Sequence, residues 1–271
     1  MPRFKKFGIS SQHRPSFRRR TRDKVQTLHV TYASDVRVFS PDDLDSLVFW
    51  LKADAGVTKT ENRLSAWASQ TGSYSVEQAT GSKQPLYVAS QINSLPIIRF
   101  LTNDFMVKTS SLFDGDSPLT MTMAAVLKIK AAAAASDDTQ YAISLGGAET
   151  QGVNSLTWTG KADDALATFK LNSSKLSPTS VVGEDVAVDT AKLLMWEVYA
   201  NGECNLWVDR DLVTSTTVAA DGTLGGVLRV GGFGAGAPDM DLGELCVWQG
   251  TIPRPDKQNF FSYIKTRWGI L

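Results

Sequence analysis

The sequence is poor in the residues that most often carry chemistry. It has two histidines, His13 and His29, and two cysteines, Cys204 and Cys246. Neither histidine sits beside a cluster of other ligands, so a histidine general base or metal centre is not expected. The cysteines have no partner at zinc-ligand spacing, and buried free thiols are expected ahead of a single disulfide. With so few histidines a Ser-His-Asp set cannot be assigned. No apolar run approaches the ~20 residues of a membrane helix. The first residues lack the apolar stretch of a secretory signal peptide. They share Arg-richness with transit peptides, but their prolines and weak amphipathicity count against one.

What is present is unevenly distributed. The net charge is zero, yet residues 1–25 hold Arg3, Lys5, Lys6, Arg14, Arg18, Arg19, Arg20, Arg22 and Lys24 against the single acid Asp23, a balance of +8. The remaining 19 basic and 27 acidic residues leave the body at −8. A basic arm on an acidic body is an interaction-tail pattern suited to nucleic acid or an acidic protein surface. Pro2 and Pro15 interrupt any helix there, so the arm is expected to bind in an extended form. Residues 26–40 read as a connecting strand and linker, and SPDDLDS marks the entry to the main domain, 41–271.

That domain reads as all-β. Leu47–Val57, LVFWLKADAGV, is a buried strand that ends in an Ala-Gly turn, with Trp50 as its largest anchor. Further strand-like runs follow: MTMAAVLKIK, YAISLGG, NSLTWTG, LATFKL, KLLMWEVYA, NLWVDRDLV, GVLRVGG and GELCVWQG. Turn residues separate them, as in a sandwich. Asn201-Gly202 should reverse one hairpin, since this pair supplies positive φ angles readily. Asp209-Arg210 should reverse another. The alanine-rich stretch 131–138 is too short for an independent helix and reads as a loop. Near the C-terminus, Phe260, Phe261, Ile264 and Trp268 recur at helical spacing, with Pro255 in the first turn and Gly269 past the end. The 42% hydrophobic content is enough for one sizeable core.

The order PDDLDSLVFWLKADAGV, LSAWASQTG, QPLYVASQINSLPIIRF resembles the opening of the laminin-G-like jelly rolls of the concanavalin A-like lectin/glucanase superfamily. Its markers are Trp50, Asp54, Trp67, Gly72, Pro85 and Arg99-Phe100. The closing DLGELCVWQGTIPRPDKQNFFSYIKTRWGIL is similar to that family's last strand and short helix. Together the matches span Pro41 to Leu271, although Ile252–Asp256 departs from the serine and acid that the family commonly shows at the helix start. The resemblance implies a two-sheet antiparallel jelly-roll β-sandwich, with the basic arm before it and the helix after it. Jelly rolls of this kind are frequent in phage virions.

Candidate chemistry is sparse. A two-carboxylate glycosidase needs acids about 5–5.5 or 6.5–9.5 Å apart, and the Glu-x-Asp-x-Glu strand of the superfamily's glucanases is absent. Asp209 and Asp211 alternate correctly but flank a turn, and Glu184-Asp185 reads as loop. Gly231–Gly236 reads as a glycine-rich turn rather than a phosphate cradle, because no helix follows it. Asn103-Asp104 and Asp114-Gly115-Asp116 offer oxygen ligands to calcium, with Asx turns the simpler account. Trp158 and Trp248 are candidates for stacking on a sugar, or are core. No catalytic set, cofactor or resident metal is expected. The favoured expectation is a homo-oligomeric virion-associated accessory protein, anchored to capsid proteins by its arm. A carbohydrate-binding adhesin for host glycans is the alternative.

Overall fold

A computed structural model describes residues 38–72, 74–101, 103–113, 120–130, 139–145, 154–160, 166–172, 180–217, 227–232 and 239–271. The compact unit runs from Val38 to Leu271. Its strands are β1 (Leu47–Lys52), β2 (Val57–Thr60), β3 (Arg63–Ala68), β4 (Ser75–Glu77), β5 (Leu86–Ile92), β6 (Leu95–Phe100), β7 (Phe105–Ser111) and β8 (Met121–Ile129). They continue with β9 (Thr139–Leu145), β10 (Asn154–Gly160), β11 (Leu166–Asn172), β12 (Ser180–Ala187), β13 (Lys192–Val198), β14 (Glu203–Val208), β15 (Asp211–Thr217), β16 (Val227–Gly231) and β17 (Met240–Gln249). One helix, α1 (Arg254–Trp268), closes the chain.

All pairings are antiparallel and form two ladders. The first runs β1–β17–β8–β13–β14–β15, with β6 and β5 continuing beside the start of β17. The second runs β2–β3–β4–β7–β16–β9–β10–β11–β12. A bridge between Arg63 and Leu86 joins them. The expected all-β, two-sheet architecture is what the chain adopts.

The central strands of the first sheet, β8, β13 and β17, are buried on both faces, which explains their contiguous apolar runs. Successive side chains of a strand alternate between faces. On β8, Met121, Met123, Ala125, Leu127 and Ile129 enter the core between the sheets, while Ala124 and Val126 enter a second core under α1. On β17, Leu245 and Val247 point one way and Cys246 and Trp248 the other. A strand covered on two sides needs no polar face, so its sequence loses the simple alternation of a half-exposed strand.

The helix supplies the second cover. Phe260, Phe261, Ile264 and Trp268 are buried on it, and Trp248 meets Phe260 edge-on with ring centroids 5.2 Å apart. Gly269 ends the helix in a left-handed conformation, φ 68°, and its N–H donates to the Lys265 carbonyl at 3.0 Å. Glycine, which has no Cβ, takes this conformation without strain, as at many helix ends. The helix lies so close to β17 that a Cβ on Gly243 would sit 2.6 Å from the Trp268 ring.

Both expected hairpins are present: β13 turns into β14 through Asn201-Gly202, and β14 into β15 through Asp209-Arg210. Glu184-Asp185 corrects the loop expectation, because both lie on β12, where Asp185 pairs with Thr168. The Gly and two acids in SVVGEDVA mask a strand that its register with β11 makes plain. Residues 131–138 lie outside the described residues, as do the arm residues Arg3 to Lys24 and the linker to Arg37. Cys204 and Cys246 are free and buried, one in each core, so the single-bridge alternative is not realised.

Candidate functional site

Three carboxylates are buried on the helix side of the first sheet, and each is committed to structure. Glu244 accepts from Trp50 Nε1 at 2.6 Å, Trp268 Nε1 at 2.6 Å, Tyr263 Oη at 2.8 Å and Arg267 Nε at 3.1 Å. Arg267 also pairs with Asp54. Burial raises the Glu244 carboxyl above its ordinary value, and the donors from Trp268, Tyr263, Trp50 and Arg267 oppose that shift in part. Asp241 takes a two-pronged contact from Arg99, at 2.7 and 3.0 Å, and an ion pair from Lys128 at 3.3 Å. Glu197 holds Lys257 at 2.8 Å and accepts from Trp207 Nε1 at 2.9 Å.

A groove opens instead on the outer face of the second sheet. On β7, Met106 points into the core, so Phe105 and Val107 face outward. On β4, Val76 is core and Ser75 and Glu77 face outward. Register places Glu77 opposite Val107, and Val107 opposite Arg229 of β16. Arg229 is in turn opposite Ser144 of β9. The outer face therefore carries a row Glu77, Val107, Arg229, Ser144 across four strands.

The groove encloses about 550 Å³ between Ser65, Tyr74, Glu77, Gln84, Phe105 and Lys108. That volume suits a small ligand such as one or two sugar rings, within the ~300–1,000 Å³ typical of binding clefts. Its wall is built by hydrogen bonds. Gln78 Nε2 donates to the Phe105 carbonyl at 3.2 Å and Gln84 Nε2 to the Gln78 carbonyl at 2.8 Å, clasping the 78–84 loop to β7. Lys108 is 3% exposed, and its Nζ donates to the carbonyls of Ser110 and Ser111, at 2.6 and 2.8 Å, and to Ser110 Oγ. Its ammonium lies 4.2 Å from the Tyr74 ring centroid. Lys108 thus shapes the floor, and its donors are spent within the protein.

A second hollow of about 330 Å³ shares Phe105 as a wall and adds Ser82, Lys83, Asn103, Arg229 and Gly232. The Arg229 guanidinium stacks on Phe105, 3.7 Å from the ring centroid, and Lys83 Nζ lies 5.6 Å from it. Arg229 Nε donates to the Gly232 carbonyl at 3.1 Å. That carbonyl is presented by Gly231 at φ 91°, where a Cβ would lie 2.4 Å from Phe100 and 2.6 Å from the Asp104 carbonyl. Only glycine fits such a turn. Burial lowers the Arg229 guanidinium to about 10, still cationic at neutral pH.

The residues singled out from sequence mostly fall elsewhere. Trp248 is 0% exposed under α1, so the possibility of its stacking on a sugar is corrected: β17 turns it inward. The side chain of Trp158, on β10, lies outside the described residues, as do Asp114 and Asp116. Asp104 is buried and its carboxylate accepts the N–H of Leu101, three residues earlier, at 3.0 Å, which braces its own loop and is not the Asx turn expected there. Asp209 accepts from Lys192 Nζ at 2.6 Å and from the Leu193 N–H at 3.0 Å, which makes it a turn brace. The groove itself went unread. Its one sequence signal was the polar run VEQATGSKQP between two strands.

Among the described residues, no three His, Cys, Asp or Glu side chains gather as a metal site, and no helix is long and apolar enough to cross a membrane. No known family's sequence profile and no curated protein matches this chain. Solved structures do. Trypanosoma rangeli sialidase in complex with 2,3-difluorosialic acid superposes with TM-score 0.57 at 13% identity, over 83% of this chain and 34% of that one. The fold is a concanavalin A-like jelly roll. The ligand-binding domain of botulinum neurotoxin serotype D, in complex with N-acetylneuraminic acid, gives TM-score 0.53 at 12% identity, over 83% of this chain and 54% of the other. The chain thus spans about a third of the sialidase and about half of the toxin domain. Identities this low establish shared architecture alone.

Proposed function

We propose that this chain is a non-catalytic carbohydrate-binding module that recognises glycans through the outer groove of the second sheet. The observation that carries the reading is the groove's make-up. Serine hydroxyls, the Gln84 side chain and the Glu77 carboxylate converge on a space the size of one or two sugar rings, beside half-buried Tyr74 and Phe105. Convergent polar groups on a partly apolar wall are the recognition chemistry of sugars, which present hydroxyls at their edges and C–H groups on their faces. Ser110 accepts from Lys108 and keeps its own proton to donate, while Ser65 donates to the Thr58 carbonyl and can accept. Among the described residues Glu77 is the one carboxylate lining the groove, and the two-carboxylate route of glycoside hydrolysis needs a second. The likeness to a toxin domain that binds N-acetylneuraminic acid supports the reading at the level of fold.

A glycan array probed with multivalent protein tests it. Binding to a defined set of glycans that is lost when Ala79→Leu narrows the groove is the expected outcome. Silence across the array, or binding indifferent to Ala79→Leu, would remove the groove as the site.

A second reading keeps one observation of its own, the +8 balance of residues 1–25. On that reading the arm anchors the module to a larger assembly such as a virion, with acidic protein surface or packaged nucleic acid as partner. Deletion of residues 1–25 should then abolish incorporation while glycan binding survives.

A further inference from the structure

We infer that the hollow between Lys83 and Arg229 is an anion subsite of the groove, and that the preferred glycans carry a carboxylate or sulfate. The inference rests on the glycan reading above and specifies its ligand class. Two cations flank one ring: Arg229 lies 3.7 Å and Lys83 5.6 Å from the Phe105 centroid. Phe105 also walls the larger groove, so the hollow adjoins the place where a ligand in the groove would sit. With both cations over it, the ring is less a stacking platform than a support that holds two positive charges near each other.

The rest of the hollow suits an anion. Among the described residues its lining is Ser82, Lys83, Asn103, Phe105, Arg229 and Gly232, which include no carboxylate. The neighbouring Asp104 turns its carboxylate to the Leu101 N–H and is 4% exposed. The bond from Arg229 Nε to the Gly232 carbonyl fixes the plane of the guanidinium, the group best matched to a planar carboxylate or to a sulfate. Burial of Arg229 strips part of its hydration, which strengthens its attraction for an incoming anion. The chain beyond residue 25 has a net charge of −8 and would repel acidic glycans generally. A paired cationic hollow is the local exception.

The test uses sugars that share one core: lactose, 3′-sialyllactose and lactose 3′-sulfate, titrated by calorimetry into the full chain and into Lys83→Glu. Lys83 is exposed, so the variant should fold normally. The expected result is that one or both acidic sugars bind at least ~10-fold tighter than lactose, about 1.4 kcal/mol, and that Lys83→Glu erases this advantage while leaving lactose binding unchanged. Equal binding of all three sugars, or an acidic preference untouched by Lys83→Glu, overturns the anion subsite and leaves the groove reading standing. Absence of binding by all three, together with a silent glycan array, overturns both.

Discussion

The indole nitrogen of Trp50 donates to the carboxylate of Glu244 at 2.6 Å, across 194 residues of sequence. Trp50 belongs to the first strand and Glu244 to the last. Because Trp268 and Arg267 of α1 bond to the same carboxylate, one buried acid ties the opening strand, the closing strand and the helix together. Hydrogen bonds to a charged group contribute about 1.5–3 kcal/mol each. Trp50→Phe keeps most of the packing and removes one donor. Urea unfolding should show a loss of about that size with an unchanged m value. No loss would mean that the bond carries no net stability.

The same acid gives the fold a pH dependence. The folded Glu244 carboxyl titrates above its ordinary value of 4.5, so between the two values the native state holds a proton that the unfolded chain has released. Folding takes up a proton there, and stability falls as pH rises through that window, then levels off. The groups facing Glu244 are Trp50, Tyr263, Arg267, Trp268, Cys246 and, through Arg267, Asp54. Tyr263 is itself raised, by burial and by this carboxylate, and stays a donor throughout. Urea midpoints of wild type and Glu244→Gln measured from pH 4 upward should differ by this falling component. Parallel curves would refute it.

Trp248 should matter to the fold and not to binding. It is fully buried and packs edge-on against Phe260. Trp248→Ala should cost about 3–5 kcal/mol, read as a lowered urea midpoint. Below the unfolding transition, the affinity for any glycan that binds should be unchanged. A selective loss of binding would return Trp248 to the site.

The two thiols should be slow to react. Both are buried, and burial pushes Cys204 up to about 11 and Cys246 well above its ordinary range. Since the thiolate is the reactive form, modification by a disulfide reagent at neutral pH should await unfolding. Both should then react, as neither is bridged. Rapid modification of the native protein would contradict the packing.

How much of this was legible in the sequence follows from chemistry and distance along the chain. The markers Trp50, Asp54, Trp67, Pro85 and Arg99-Phe100 all have visible jobs. Asp54 pairs with Arg267, Arg99 with Asp241, and Trp67 Nε1 donates to the Lys52 carbonyl at 2.9 Å. Pro85 receives the Leu64 N–H at 2.8 Å, and Phe100 is core. Turns and the helix were readable because they are local: Asn201-Gly202, Asp209-Arg210 and Gly269 act on their own neighbours. The outward or inward sense of Trp248 was not, because β17 is covered on both faces and its run LCVW has no alternation to read. The groove was not either. Its parts come from 65–84, 105–110 and 229–232, and only the pairing of β4 with β7 and of β7 with β16 sets them side by side.

The most direct measurement for the account is calorimetric titration of an array-selected glycan into the full chain and into Glu77→Gln, a change of one groove acceptor at an exposed position. The account predicts measurable binding that weakens roughly 5- to 20-fold in the variant, about 1–2 kcal/mol, because the amide oxygen that replaces the carboxylate accepts a weaker hydrogen bond, with thermal stability unchanged. Binding of equal strength in both proteins would contradict it and place the ligand away from the second sheet's outer face.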